Sequence, residues 1–241
     1  IKAWIAFENT LGLPTIYNQR LNAPDSADVI LFVHDDVWID DFFIVDRVLE
    51  ASRRYDLFGV VGNSRCLPLQ PSWAFTDTSG TWDQSENLRG AIAHGKPNDG
   101  KVDVFGTSPA DCEILDGVFL GVNKSAFKAA GLYFDERFDF HFYDVDLCLN
   151  ASRRGLRIGV WPIAITHGSK GGFDLAWHQT YLNFCAKWQS SSDATPLGID
   201  EMKIHAYNPE NIRMKQTPAH ELINTDLLAL VPKNTRRVVD V

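Results

Sequence analysis

Apolar and other residues alternate from Ile1 to Phe7, which predicts a strand, and Leu13 to Leu21 has helical spacing behind Gly12 and Pro14. Val29 to Val33 is an unbroken apolar run, the pattern of a central strand covered on both faces, and it stops at His34-Asp35-Asp36. Asp40 or Asp41 can cap a helix running to about Tyr55, with Phe43, Val48 and Leu49 as inward positions, and Phe58 to Val61 is the next short strand. From Asn63 to about Val102 the periodicity dissolves into Pro, Ser, Thr, Asp and Gly around Trp73, Phe75 and Trp82, and a connection of that length is usually functional. Order returns with Cys112 to Val122, an Asn123-capped helix ending at Gly131, and an aromatic-rich stretch from Leu132 to Phe142. A helix from Asp144 to Arg154 closed by Gly155 follows, then strands at Leu156 to Trp161 and Ile163 to Ile165, with His167 just beyond. Phe173, Trp177, Tyr181, Phe184 and Trp188 recur at helical spacing and predict an amphipathic helix packed on the sheet. Strands alternating with helices predict an α/β fold.

Composition narrows the class. The chain has 241 residues, 45% of them hydrophobic, enough for a full core, and a polar run at Gln189 to Asp193 divides a domain at 1–190 from a remainder at 191–241. A net charge of -8 and a pI near 5.3 leave no basic footprint, which argues against nucleic acid as the main partner. An anionic substrate would then need a local cation, either a metal or a few placed basic side chains. Cys66, Cys112, Cys148 and Cys185 are scattered, with neither a disulfide framework nor zinc-ligand spacing, so free thiols and a cytoplasmic location are expected. No apolar run approaches the roughly 20 residues of a membrane span, so no transmembrane segment is expected. The sequons at Asn123 and Asn150 fall in predicted helices and read as chance matches.

A strand that ends in adjacent carboxylates presents them at the C-terminal edge of a sheet, where open α/β folds bind ligands, and oxygen ligands suit Mg²⁺ or Mn²⁺. A solvated turn with a helix cap would look the same locally. The company this cluster keeps decides between them: ILDGVFLGVNKSAF, FDERFDFHFYDVDLCLNASRRGLRIGVWP and ITHGSKGG follow in order between Cys112 and Gly172. Over roughly residues 9 to 172 the sequence resembles the family-2-like glycosyltransferases of the GT-A fold, whose DxD-type motif precedes a Gly-bearing acceptor strand, an acidic helix start and a late His. The resemblance implies a GT-A-like, Rossmann-like central mixed sheet flanked by helices. It also implies an inverting, metal-dependent transferase that moves a sugar from a nucleotide-diphosphate donor to a glycan or other hydroxyl acceptor.

Carried over position by position, the resemblance makes Asp144 the general base and Asp36, His34 and His167 the metal set, holding Mn²⁺ or Mg²⁺. Asp35, Asn9 and Gly12 would contact the donor, and Asp116, Gly117, His141, Trp73 and Trp82 the acceptor. Tyr143, beside the base, is a further acceptor candidate, and Asp146 is excluded from the same site because residues two apart do not share a helix face. His34 stands where the family's first Asp is usual, which removes one negative charge and shifts metal preference towards Mn²⁺.

The strand, helix and strand that hold the nucleotide base in relatives precede a segment like Asn9 to Gly12, and eight residues cannot supply them, so either the N-terminal strands are missing or base recognition is rebuilt from elsewhere. The QxxRW-type signature of polymerising members is absent, which favours transfer of single sugars. Asp226 to Val241 resembles the opening helix and strand of a class I methyltransferase, implying a larger bacterial fusion for polysaccharide biosynthesis with a covalently linked methyltransferase domain. A catalytically weak glycan- or nucleotide-sugar-binding module is the alternative, and a metal-dependent phosphodiesterase or nucleotidyltransferase a third.

Overall fold

The computed structural model describes residues 2–6, 9–25, 27–97, 99–169 and 171–189, so the domain edge at 190/191 and the stretch resembling a methyltransferase lie outside the described residues. In chain order the elements are α1 (Leu13–Asn22), β1 (Val29–Val33), β2 (Val37–Ile39), α2 (Ile44–Arg54), β3 (Leu57–Gly59), β4 (Val61–Asn63), β5 (Leu88–His94) and β6 (Lys101–Val104). They continue with β7 (Ala110–Asp111), β8 (Ile114–Leu115), β9 (Phe119–Asn123), α3 (Lys124–Ala130), α4 (Tyr143–Arg153), β10 (Ile158–Val160), β11 (Ile165–His167) and α5 (Leu175–Gln189).

The strands form two mixed sheets flanked by helices. One has the order β1-β9-β3-β10-β7, with β3 and β10 parallel. The other runs β2-β11-β5-β4-β8, with β11 and β5 parallel and β6 added to β5. The sheets share backbone: β3 passes into β4 through Val60, and β8 into β9 through Asp116-Gly117-Val118. The second crossing matters for function, because it interrupts a buried strand pair beside the end of β1.

Local chemistry explains most boundaries. Pro14 opens α1, where its missing N–H costs nothing, and the Asn123 side chain accepts from the Ala126 N–H to cap α3, which Gly131 closes in the left-handed conformation. α5 lays Trp177, Phe184 and Trp188 into the core. Its docking is reinforced by Lys187, which pairs with Asp135 at 2.7 Å and with the buried Asp146, and by Trp188, whose indole N–H donates to Asp146 at 2.9 Å. Asp146 therefore faces away from the cleft and ties α4 to α5. Burial pushes its carboxyl above the usual range despite Lys187.

Three expectations are corrected. Residues 2–6 form no strand, since alternation alone supplies no neighbour to pair with. α2 starts at Ile44 because Asp41 spends its carboxylate on the Phe43 N–H in a preceding turn, and Phe43 and Leu49 are exposed while Ala51 is the buried position. The stretch from 63 to 102 is not structureless. It contains β5, interior to the second sheet, which alternates buried and half-buried positions through Gly90, at φ +86°, where a Cβ would overlap the Val60 carbonyl. The remainder is held by Asp83, whose buried carboxylate takes hydrogen bonds from Arg65 and Asn63. The Arg65 guanidinium holds that carboxyl well below its usual range.

Candidate functional site

β1 ends against the crossing between the sheets, with the His34 N–H donating to the Val118 carbonyl at 3.2 Å. The turn into β2 buries Asp36, while Asp35 stays exposed on the other side. β11 pairs with β2 so that His167 lies opposite Val37, which brings the late His to the early carboxylate. His34, Asp36 and His167 each present a ligand atom, and these atoms lie within 4.8 Å of one another. His167 Nε2 is 3.1 Å from Asp36 Oδ1, a spacing that a shared proton or a shared divalent ion fills equally well, and the Ser169 N–H donates to Asp36 Oδ2 at 3.0 Å.

The donor set fits a divalent ion. Tyr143 Oη is 2.8 Å from His34 Nε2 and 3.0 Å from the Gly117 carbonyl, which can only accept. Both contacts are hydrogen bonds only if Tyr143 donates to Gly117 and His34 Nε2–H donates to Tyr143, which leaves His34 Nδ1 its lone pair for a metal. Burial and the neighbouring His167 hold His34 below its ordinary pKa, in the neutral, ligating form. Burial by itself would raise Asp36, but the hydrogen bonds and charge of His167, with Ser169 and His34, outweigh it and hold the carboxyl at about 2. Two imidazoles and one carboxylate form a borderline donor set of the kind that divalent transition metals accept.

A cleft opens beside this cluster, lined among others by His34, Asp116, Gly117, Phe140, His141, Tyr143, Asp144 and Trp177. Asp144, at the start of α4, accepts from the Gly117 N–H at 2.9 Å through Oδ2 and from the Val145 N–H through Oδ1. Burial, and then the charge of Asp116, raise it to about 7. α4 is aimed by an unusual residue: Phe142 takes a left-handed φ of 66°, costly for a bulky side chain, and its ring is clamped by Trp177, Tyr181 and Phe184 of α5 at 5.1–5.5 Å. Gly117 is required because a Cβ there would overlap the Tyr143 hydroxyl. The close approach at this glycine is thus made by a protein phenol.

The cleft brings together six of the expected positions, His34, Asp116, Gly117, His141, Tyr143 and Asp144, with Asp36 and His167 behind His34. Trp73 departs from expectation: it is buried, and its indole N–H donates to Asp116 Oδ2 at 2.6 Å, so it orients that carboxylate instead of offering a stacking face. Trp82 is 54% exposed and is not part of the cleft wall. Asn9 spends both side-chain polar atoms on the Leu11 backbone, and Gly12 sits where a Cβ would meet the Asp139 main chain; both serve to seat α1 against the Phe138–Phe140 turn. Ser169 escaped sequence reasoning, as did His94, whose ring lies 5.8 Å from His167 across the parallel β5–β11 pair. The run His-Gly-Ser could have flagged Ser169, whereas His94 carries no local signal.

None of the curated proteins matches the chain. Residues 4–191 match the sequence model of the Glycosyltransferase-like family, a span that contains every element described and the whole cleft. With its two mixed sheets, helical flanks and strand-end acidic cluster consistent with a GT-A-like fold, the chain belongs to this glycosyltransferase-like family.

Proposed function

We propose that the cleft transfers a sugar from a nucleotide-diphosphate donor to a hydroxyl of a glycan or other acceptor, with inversion at the anomeric carbon. One observation carries this reading: a carboxyl poised near neutrality, Asp144, lines the same cleft as His34 of a His–Asp–His cluster suited to a divalent ion. His34, Asp36 and His167 would hold Mn²⁺ or Mg²⁺, which when bound neutralises charge developing on the diphosphate leaving group.

The chain's own groups account for the rest. Asp144, with one lone pair on each oxygen still open after its backbone contacts, takes the proton from the attacking hydroxyl. A carboxylate with a pKa near 7 is a far better base at neutral pH than an ordinary Asp. Asp116, fixed by Trp73 and by the Val118 N–H, accepts hydrogen bonds from sugar hydroxyls, and His141 and Trp177 bound the acceptor side. Asp35, exposed at the strand end, meets the donor.

A thermal-shift panel of nucleotides and nucleotide-sugars, with and without Mn²⁺, tests the proposal first. A donor that stabilises only with metal, followed by sugar transfer that Asp36→Ala and Asp144→Asn both abolish, supports it; cleavage within the phosphate chain without sugar transfer would refute it. A second reading rests on His34, which stands in place of an acidic ligand: a module that binds nucleotide-sugar or glycan without turning it over. It predicts metal-dependent donor binding with no transfer in wild-type chain.

A further inference from the structure

Two chain segments leave the cleft together, and both carry aromatic rings outward. One starts at Pro71 and Ser72 in the cleft wall and continues through Phe75 to Trp82; the other holds Phe173 and, in the first turn of α5, the cleft-lining Trp177. Their rings touch in series, Trp177 to Phe173 at 4.6 Å, Phe173 to Phe75 at 5.3 Å and Phe75 to Trp82 at 4.9 Å between centroids. Phe105 stacks behind Trp82 at 5.8 Å, and Phe75 and Trp82 are also joined by a backbone bridge. Trp177 anchors the series in the core and Phe75 and Phe105 pack half-buried against that core, while the outer rings open to solvent, Phe173 at 44% and Trp82 at 54%. Exposed aromatic rings at the outer end of a series that begins in a cleft mark a ligand-binding surface.

The ligand's chemistry follows from what accompanies the rings. Lys170 borders the second segment, and 71–82 and 171–178 themselves contain no Lys or Arg, which favours a neutral ligand over a phosphate-bearing chain or an anionic lipid surface. Their charged groups are carboxylates: Asp77, held in a turn by hydrogen bonds from Ser79 and Thr81, and Asp174, 3.6 Å from His141. Flat rings bordered by fixed hydrogen-bond acceptors match a pyranose, which has an apolar C–H face and a rim of hydroxyl donors. The turn at Asp77 also pre-orders the loop, so little entropy is lost on binding.

We propose that this ridge is an extended acceptor subsite, which takes the non-reacting units of a neutral oligosaccharide whose terminal hydroxyl reaches Asp144. The direction of the chain rests on the transferase reading of the cleft; the ridge itself does not. An array of neutral mono- to hexasaccharides presented to the chain tests it. Binding rises with oligosaccharide length in wild type and falls about tenfold in Trp82→Ala and in Phe173→Ala, while the Mn²⁺-dependent nucleotide shift is unchanged in both. Both substitutions are at exposed rings, and a melting curve for each checks that the fold is kept. Wild-type chain that holds no oligosaccharide better than its monosaccharide, or variants that bind like wild type, overturn the proposal. Length-dependent glycan binding without any nucleotide shift would leave the ridge standing and remove the transferase reading instead.

Discussion

Burial and the Asp116 carboxylate both disfavour the charged form of Asp144, and the two consequences pull apart. A base with a pKa of about 7 makes the transfer rate climb with pH up to neutrality and level off above it, a limb that a pH–rate profile of kcat/KM measures directly. Stability runs the other way. The folded pKa lies above the roughly 3.9 of an unfolded Asp, so the native state binds the extra proton and loses stability as pH rises from about 4 to about 7. Asp144→Asn is therefore expected to lose about 100-fold or more in rate yet melt higher than wild type at pH 8 and level with it near pH 4. Equal melting temperatures at pH 8 would show that the carboxyl is not strained by its surroundings. At the His34–Asp36–His167 cluster, His34→Asp adds an oxygen donor and a negative charge, so under the proposed metal role the ion giving the larger thermal shift should change from Mn²⁺ towards Mg²⁺. An unchanged preference would remove His34 from the ligand set.

Among the elements, the β8–β9 crossing and α4 form one device. Gly117 donates its N–H to Asp144 and its carbonyl accepts from Tyr143, so the backbone of the crossing sets the positions of the Asp144 carboxyl and of the phenol beside His34. Gly117→Ala forces the Tyr143 ring away and is expected to destabilise the fold by about 1–3 kcal/mol and to weaken Mn²⁺ binding at the same time. Denaturant melts and metal titration on one preparation read both; stability lost with metal affinity intact would break the proposed link. Trp73 acts on the same device from the long connection, through Asp116. That connection looked irregular because Gly90 places no apolar side chain at a buried position of β5 and β6 is mostly exposed, so neither strand announces itself before its partners are known.

At the scale of the whole molecule, α5 fastens the cleft from behind, through the Phe142 clamp and the Lys187–Asp146 pair. Lys187→Ala leaves Asp146 buried without its cation and is expected to cost about 3 kcal/mol, readable as a lower denaturation midpoint, while Lys187→Ala combined with Asp146→Asn should recover much of that loss. Two single losses that simply add would mean the pair is not coupled. Among the described residues no helix is long and apolar enough to cross a membrane. The residue pattern by itself determined the presence of the helices, the Asn123 cap and Gly131 stop of α3, the apolar run of β1 and the order of acidic and His positions that marks the family, because propensity and periodicity are local properties of the chain. Only the tertiary structure decided which face of α2 is inward, that Trp73 serves Asp116 and that Asp146 serves α5. It also decided that His34, Asp36 and His167 converge although 131 positions separate the last two, a gap that the β2–β11 register and the backbone bonds beyond it bridge. Those are matters of strand partners and of burial, and neither is written in any window of neighbouring residues.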